Sequence, residues 1–151
     1  MFIQIFIGTF LILMSVAVAT LGFLVFEIIL NRAHKWHIRE PHRPKLAIVL
    51  AGAVVAVLWM ITAGVWIWAI AFRVLHIFDN FEEALYFALV SFTTLGFGDL
   101  LLPIEWRLLS GLCATNGLLN IGMMTALLME VLRHVRRNQL DSLRKQKPHD
   151  Y

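Results

Sequence analysis

Apolar and polar positions divide the chain into three long hydrocarbon runs and one short one. Phe2 to Leu30 is almost unbroken, with Glu27 its only charge. Leu46 to Phe72 is the second run, and Trp106 to Leu132 is the third, with charges only near its ends. Each exceeds the roughly 20 residues that cross a ~30 Å hydrocarbon core, so each predicts a transmembrane helix. The fourth run, Phe81 to Phe92, reads FEEALYFALVSF. At about 1.5 Å per residue it reaches only ~18 Å, too short to cross. It predicts a helix that enters the membrane and stops. Asp79 or Asn80 can cap its start, and Glu82 and Glu83 fall in the first turn, where carboxylates favour the positive helix end.

Composition agrees with a membrane protein. Of 151 residues, 60% are hydrophobic and 15% charged, against about 25% charged in a soluble domain. The single cysteine, Cys113, lies inside an apolar run and allows no intrachain disulfide. Ala17 and Ala19 form an A-x-A pattern, but no Lys or Arg precedes the run and it continues past Ala19, which disfavours a cleaved leader.

The formal net charge of +3 raises nucleic acid as a partner, and the placement of the charges argues against it. Arg32, Lys35, Arg39, Arg43 and Lys45 lie in the first loop. Arg133, Arg136, Arg137, Arg144, Lys145 and Lys147 lie in the tail, and only Arg73 and Arg107 flank the short helix. Positive residues collect on the cytoplasmic side. The first loop (31–45) and the tail (136–151) are therefore expected in the cytoplasm beside anionic headgroups, with the N-terminus outside and the short helix entering from outside. His34 and His37, one helical turn apart, admit a proton or metal sensor, though a basic, lipid-facing loop with an interfacial Trp36 is the plainer reading.

After the short helix comes TTLGFGD, Thr93 to Asp99. Non-helical backbone at membrane depth is tolerated only if protein buries it or it lines a watery path. Gly96 and Gly98 alternate with Leu95 and Phe97, and glycine adopts left-handed backbone at low cost. Alternating hand aims successive carbonyl oxygens the same way, which makes a row of hard ligands for a dehydrated cation.

TTLGFGD resembles the selectivity-filter signature of potassium channels. The resemblance covers Leu46 to about Val135, the pore domain of outer helix, pore helix, filter and inner helix, and leaves 1–30 as an additional N-terminal transmembrane helix. It implies an all-α membrane protein with three transmembrane helices, a re-entrant pore helix and a filter loop, in a plasma or bacterial inner membrane. It implies carbonyl ion sites at Thr94, Leu95, Gly96 and Phe97, with the Thr94 hydroxyl as innermost ligand. Thr93 would pack behind the filter, and Gly98 and Asp99 would close the outer mouth. One loop per chain implies a homotetramer around the axis. K⁺ would be the permeant ion, with no other metal, no cofactor and no enzymatic activity. The family's commonest form has valine and tyrosine where this chain has Leu95 and Phe97. The residues that would brace the filter are Tyr86 and Phe87, and because Phe87 offers Asp99 no donor, a weakly braced filter is expected.

In the third run, Gly117 is placed either as a gating hinge or as a site of close helix packing. Asn116 and Asn120 share a helical face and either line a wet cavity or hydrogen-bond a neighbouring helix; Thr125 is a further cavity candidate. No span carries arginines at every third position, so no voltage sensor is expected, and the stretch after Leu132 is too short for a folded ligand-binding domain. The first run carries no polar stripe and is expected on the periphery of the outer helix. The function expected is a potassium-selective channel. The alternatives are a weakly selective monovalent cation channel, or a non-conducting membrane subunit or regulator.

Overall fold

The computed structural model describes residues 1–32 and 42–146. The His34–His37 pair, Trp36 and Lys147 lie outside them. Among the described residues every regular element is helical. The first helix, α1, spans Phe2–Arg32, and α2 spans His42–Val74. The short helix α3 spans Phe81–Phe92. One 3₁₀ turn, Ile104–Trp106, leads into α4, Arg107–Gln146. Three of the helices are long and apolar enough to cross a membrane.

Two helix ends differ from the hydrophobic pattern. α2 starts at His42, inside the stretch expected as loop. Pro44 falls in its first turn, where a missing N–H costs no helical bond. α4 runs on past Leu132 to Gln146 because no Gly or Pro interrupts the chain between Arg133 and Gln146.

The turn between α2 and α3 is built without glycine. The His76 amide donates to the Arg73 carbonyl at 3.1 Å and the Ile77 amide to the Phe72 carbonyl at 3.0 Å. This is a Schellman ending with His76 in the left-handed position, φ 54°. Asn80 then caps α3, its side-chain oxygen accepting from the Glu82 amide at 3.1 Å. The turn is anchored by aromatic packing: Phe72, Phe78 and Phe87 lie with ring centroids 5.3 to 6.4 Å apart. Such pairs add about 0.5–1.5 kcal/mol each beyond simple burial.

α1 is not peripheral to the outer helix alone. It lies against both α2 and α4, and two of its polar residues are buried there, Gln4 and Ser15. Gln4 accepts from the Leu108 amide at 3.2 Å and donates to the Glu105 carbonyl. It thereby completes the first turn of α4, whose leading amides have no intrahelical partner. The N-terminus of α1 and the TTLGFGD loop are thus at the same end of the bundle.

The centre of the bundle is set by close approach of backbone. A Cβ built on Gly117 of α4 would stand 1.6 Å from the Phe92 carbonyl oxygen, the last carbonyl of α3. On the other side, a Cβ on Gly64 of α2 would stand 2.9 Å from the Phe92 ring and 3.3 Å from Ser15 Oγ. In lipid, helices associate through van der Waals fit and interhelical hydrogen bonds, and small residues permit it. No more than 33% of the most apolar window of any span is buried within the chain, so most of its surface is left for lipid or for further chains.

Gly117→Ala should therefore destabilise the detergent-solubilised protein by at least the ~1–3 kcal/mol typical of overpacking, because the obstacle is backbone and cannot swing away. Gly52→Ala, whose Cβ meets only Phe26 at 4.0 Å, should be neutral or stabilising. Equal thermal midpoints for the two variants would contradict this packing.

Candidate functional site: the loop after the short helix

α3 ends in the same kind of motif as α2. The Thr94 amide donates to the Ser91 carbonyl at 2.9 Å and the Leu95 amide to the Val90 carbonyl at 3.0 Å. The left-handed position is Thr94, with φ 62°. For a β-branched residue this is a strained conformation, of the order of 1–3 kcal/mol, and it persists only where the surroundings over-determine it. Thr93 stays half-buried, its hydroxyl donating to the Leu89 carbonyl at 2.8 Å.

Left-handed backbone then recurs at every second residue: Thr94 at φ 62°, Gly96 at 56° and Gly98 at 78°. Leu95 and Phe97 between them do not share it. The segment from Thr94 to Asp99 is exposed, and a Cβ on Gly96 or Gly98 would meet nothing within 4 Å. Leu95 and Phe97 are 61% and 67% exposed. In the single chain one side of the loop is therefore left uncovered.

Behind the loop lies an open cavity of about 310 Å³, reached by Tyr86, Ser91, Asp99 and Arg107. Across it the Tyr86 hydroxyl donates to Asp99 Oδ2 at 2.6 Å. Phe87 offers Asp99 no donor, as expected, but Tyr86 supplies one. Tyr86 and Phe87 are about 100° apart around the helix. Tyr86 faces the loop, while Phe87 is buried in the aromatic cluster with Phe72 and Phe78. That hydrogen bond holds the Asp99 carboxyl below the usual carboxylate range. The same bond, joined by the nearby Asp99 charge, holds the Tyr86 phenol above its usual range. A depressed acid stabilises the fold above its unfolded value and loses that contribution as pH falls through the lower folded one. A raised phenol does the converse at the alkaline end.

Asn116 and Asn120, expected on a cavity or on a neighbouring helix, take the second course. Both are buried. The Asn120 amide nitrogen donates to Asn116 Oδ1 at 2.8 Å, to the Asn116 carbonyl at 2.9 Å and to Ser15 Oγ of α1 at 3.3 Å. They are corrected as cavity-lining residues because their face of α4 meets the other helices. The opposite, exposed stripe contains Gly111, Thr115, Leu118, Gly122, Thr125 and Met129. Thr125, expected as a cavity candidate beside Asn116 and Asn120, lies on this opposite stripe, and so does Thr115, within about 80° of it at 100° per residue. Gly117 is in the packed face, seated on Phe92, and α4 runs through it without a break.

A family model described as an ion channel matches residues 50–134, more than half of the chain. The chain belongs to this ion channel family. The match is of the two-transmembrane potassium-channel pore type; it begins within α2, contains α3 and the TTLGFGD loop, and ends in α4, leaving α1 outside. The channel chain is an integral membrane protein of a family that in general is not enzymatic. No curated protein and no solved structure matches it.

Tyr86→Phe removes the donor to Asp99 without changing ring size. The Asp99 titration, read by carboxyl infrared or NMR signals against an Asp99→Asn background, should move up toward the ordinary carboxylate value near ~4. An unmoved midpoint would show that the hydroxyl does not control this carboxylate.

Proposed function

We propose that four copies of this chain form a potassium-selective channel whose filter is the TTLGFGD loop of each. The observation that carries the reading is the recurrence of left-handed backbone at Thr94, Gly96 and Gly98 on an exposed, one-sided loop. Alternating hand directs the carbonyls of Thr94, Leu95, Gly96 and Phe97 to one side, with the Thr94 hydroxyl below them. Rings of such oxygens around an axis replace the hydration shell of a K⁺ ion. A single wall encloses nothing, so closure takes a symmetric ring, and a homotetramer provides it.

The surroundings support cation flow. Asp79, Glu82, Glu83, Asp99 and Glu105 lie in or near the segment between α2 and α4, against Arg73 and Arg107. Fourfold repetition concentrates cations at the mouth. With the basic segments in the cytoplasm, this mouth faces outward together with the N-terminus of α1, and the Gln4–Leu108 bond supports that shared end. Below the filter, the stripe through Thr115 and Thr125 faces the axis. Gly117 serves as the seat of the pore helix, and a bend of the inner helix there would drag Phe92 with it.

Potassium flux from proteoliposomes holding the full chain, beside a sodium control, tests the proposal. Selective potassium flux in the unaltered chain, lost in Gly96→Ala, is expected, because alanine at φ 56° is strained whatever the space around it. Equal flux of both ions would keep the channel and reject the selectivity. Absence of flux together with a monomeric mass in detergent would leave a non-conducting subunit.

A further inference from the structure

We infer that Ser15, in the additional first helix, is a positioning residue for the filter, acting through Asn120 and Phe92 on the end of the pore helix. This rests on the channel reading above. Ser15 is halfway along α1 and only 2% exposed. Its hydroxyl meets two things at once. One is the Asn120 amide at 3.3 Å. The other is the notch at Gly64, where a Cβ would stand 3.3 Å from Ser15 Oγ and 2.9 Å from the Phe92 ring.

Both routes converge on one residue. The Asn120 amide has two protons and faces three oxygens, two of them on Asn116. Asn116 is followed by Gly117, which bears the Phe92 carbonyl. Phe92 is therefore held by its ring from the Ser15–Gly64 side and by its backbone from the Asn116–Gly117 side. Two residues later the chain is at Thr94, the first left-handed position. Strain at such a residue persists only in rigid surroundings. The contact to Ser15 is the longest of the three made by Asn120, so it is the one that a small shift of α1 alters first.

The outcome expected is a change in the quality of conduction more than in the amount of protein. Loosening the seat of Phe92 lets the loop relax, which shortens the life of the conducting state and lowers discrimination between potassium and sodium. Ser15→Ala removes the hydroxyl and leaves the helix apolar. Asn120→Leu removes the same contact from the other side. Val25→Ala, on the exposed face of α1, serves as the control.

Currents of the full chain in planar bilayers would be compared for decay time and potassium-to-sodium permeability ratio, with assembled mass measured on each preparation. Ser15→Ala should shorten the decay time severalfold or lower the ratio severalfold at unchanged mass. Ser15→Thr should restore wild-type behaviour, and the Ser15→Ala/Asn120→Leu double variant should be no worse than the single ones. Currents of Ser15→Ala superposable on wild type would overturn the inference while leaving the channel reading intact. So would a loss that merely tracks the assembled mass and is not restored by threonine. If Ser15→Ala fails to assemble, Asn120→Leu with wild-type decay and ratio overturns it equally. An unaltered chain that passes no potassium overturns the channel reading and this inference with it.

Discussion

The backbone contact between Phe92 and Gly117 decides where everything else can be. A helix of only twelve residues has little length with which to anchor itself. Its far end must be fixed by touching another element, and any side chain at position 117 would hold the two backbones apart. Once α3 ends against α4 at this point, the following residues have one place to go. They turn through a left-handed threonine into an exposed loop. The aromatic group of Phe72, Phe78 and Phe87 fixes the opposite end of the same short helix. Between these two supports the helix is carried by packing, and the exposed loop after it is tied back by the Tyr86–Asp99 hydrogen bond.

Much of this was legible in the chain because the signals were long or chemically narrow. Three apolar runs of bilayer length, and one of half that length with a capping asparagine and two early glutamates, leave few architectures for a membrane protein. Alternating glycines two apart after the short run point to unusual backbone whatever the family. What could not be read was direction around a helix. Asn116 and Asn120 share a face, but periodicity alone does not say whether that face meets water or another helix; the answer depends on where Ser15 of a distant segment arrives. Tyr86 and Phe87 pose the same difficulty one residue apart. The ending of α2 was hidden for a different reason: histidine takes the place where glycine is the usual signal.

The first helix changes meaning in this light. By pattern it is an apolar cylinder with a few small polar residues and no evident task. In the fold two of them, Gln4 and Ser15, hydrogen-bond the segment that the family model covers, beside the apolar contacts of α1. Gln4 reaches the start of the inner helix, and Ser15 reaches its middle. Isolated polar groups in lipid find partners because hydrocarbon offers none, so two such residues on one side of a helix are enough to set its rotation about its own axis.

The Gln4 contact also bears on how the chain is made. The inner helix begins with amides that its own residues leave open, and the group that closes one of them lies 104 positions earlier in the chain. During synthesis the first helix is therefore a completed template long before its client emerges. Until α4 is made, Gln4 has neither the Leu108 amide nor the Glu105 carbonyl to pair with. The contact that buries Gln4 therefore forms only after α4 has been made.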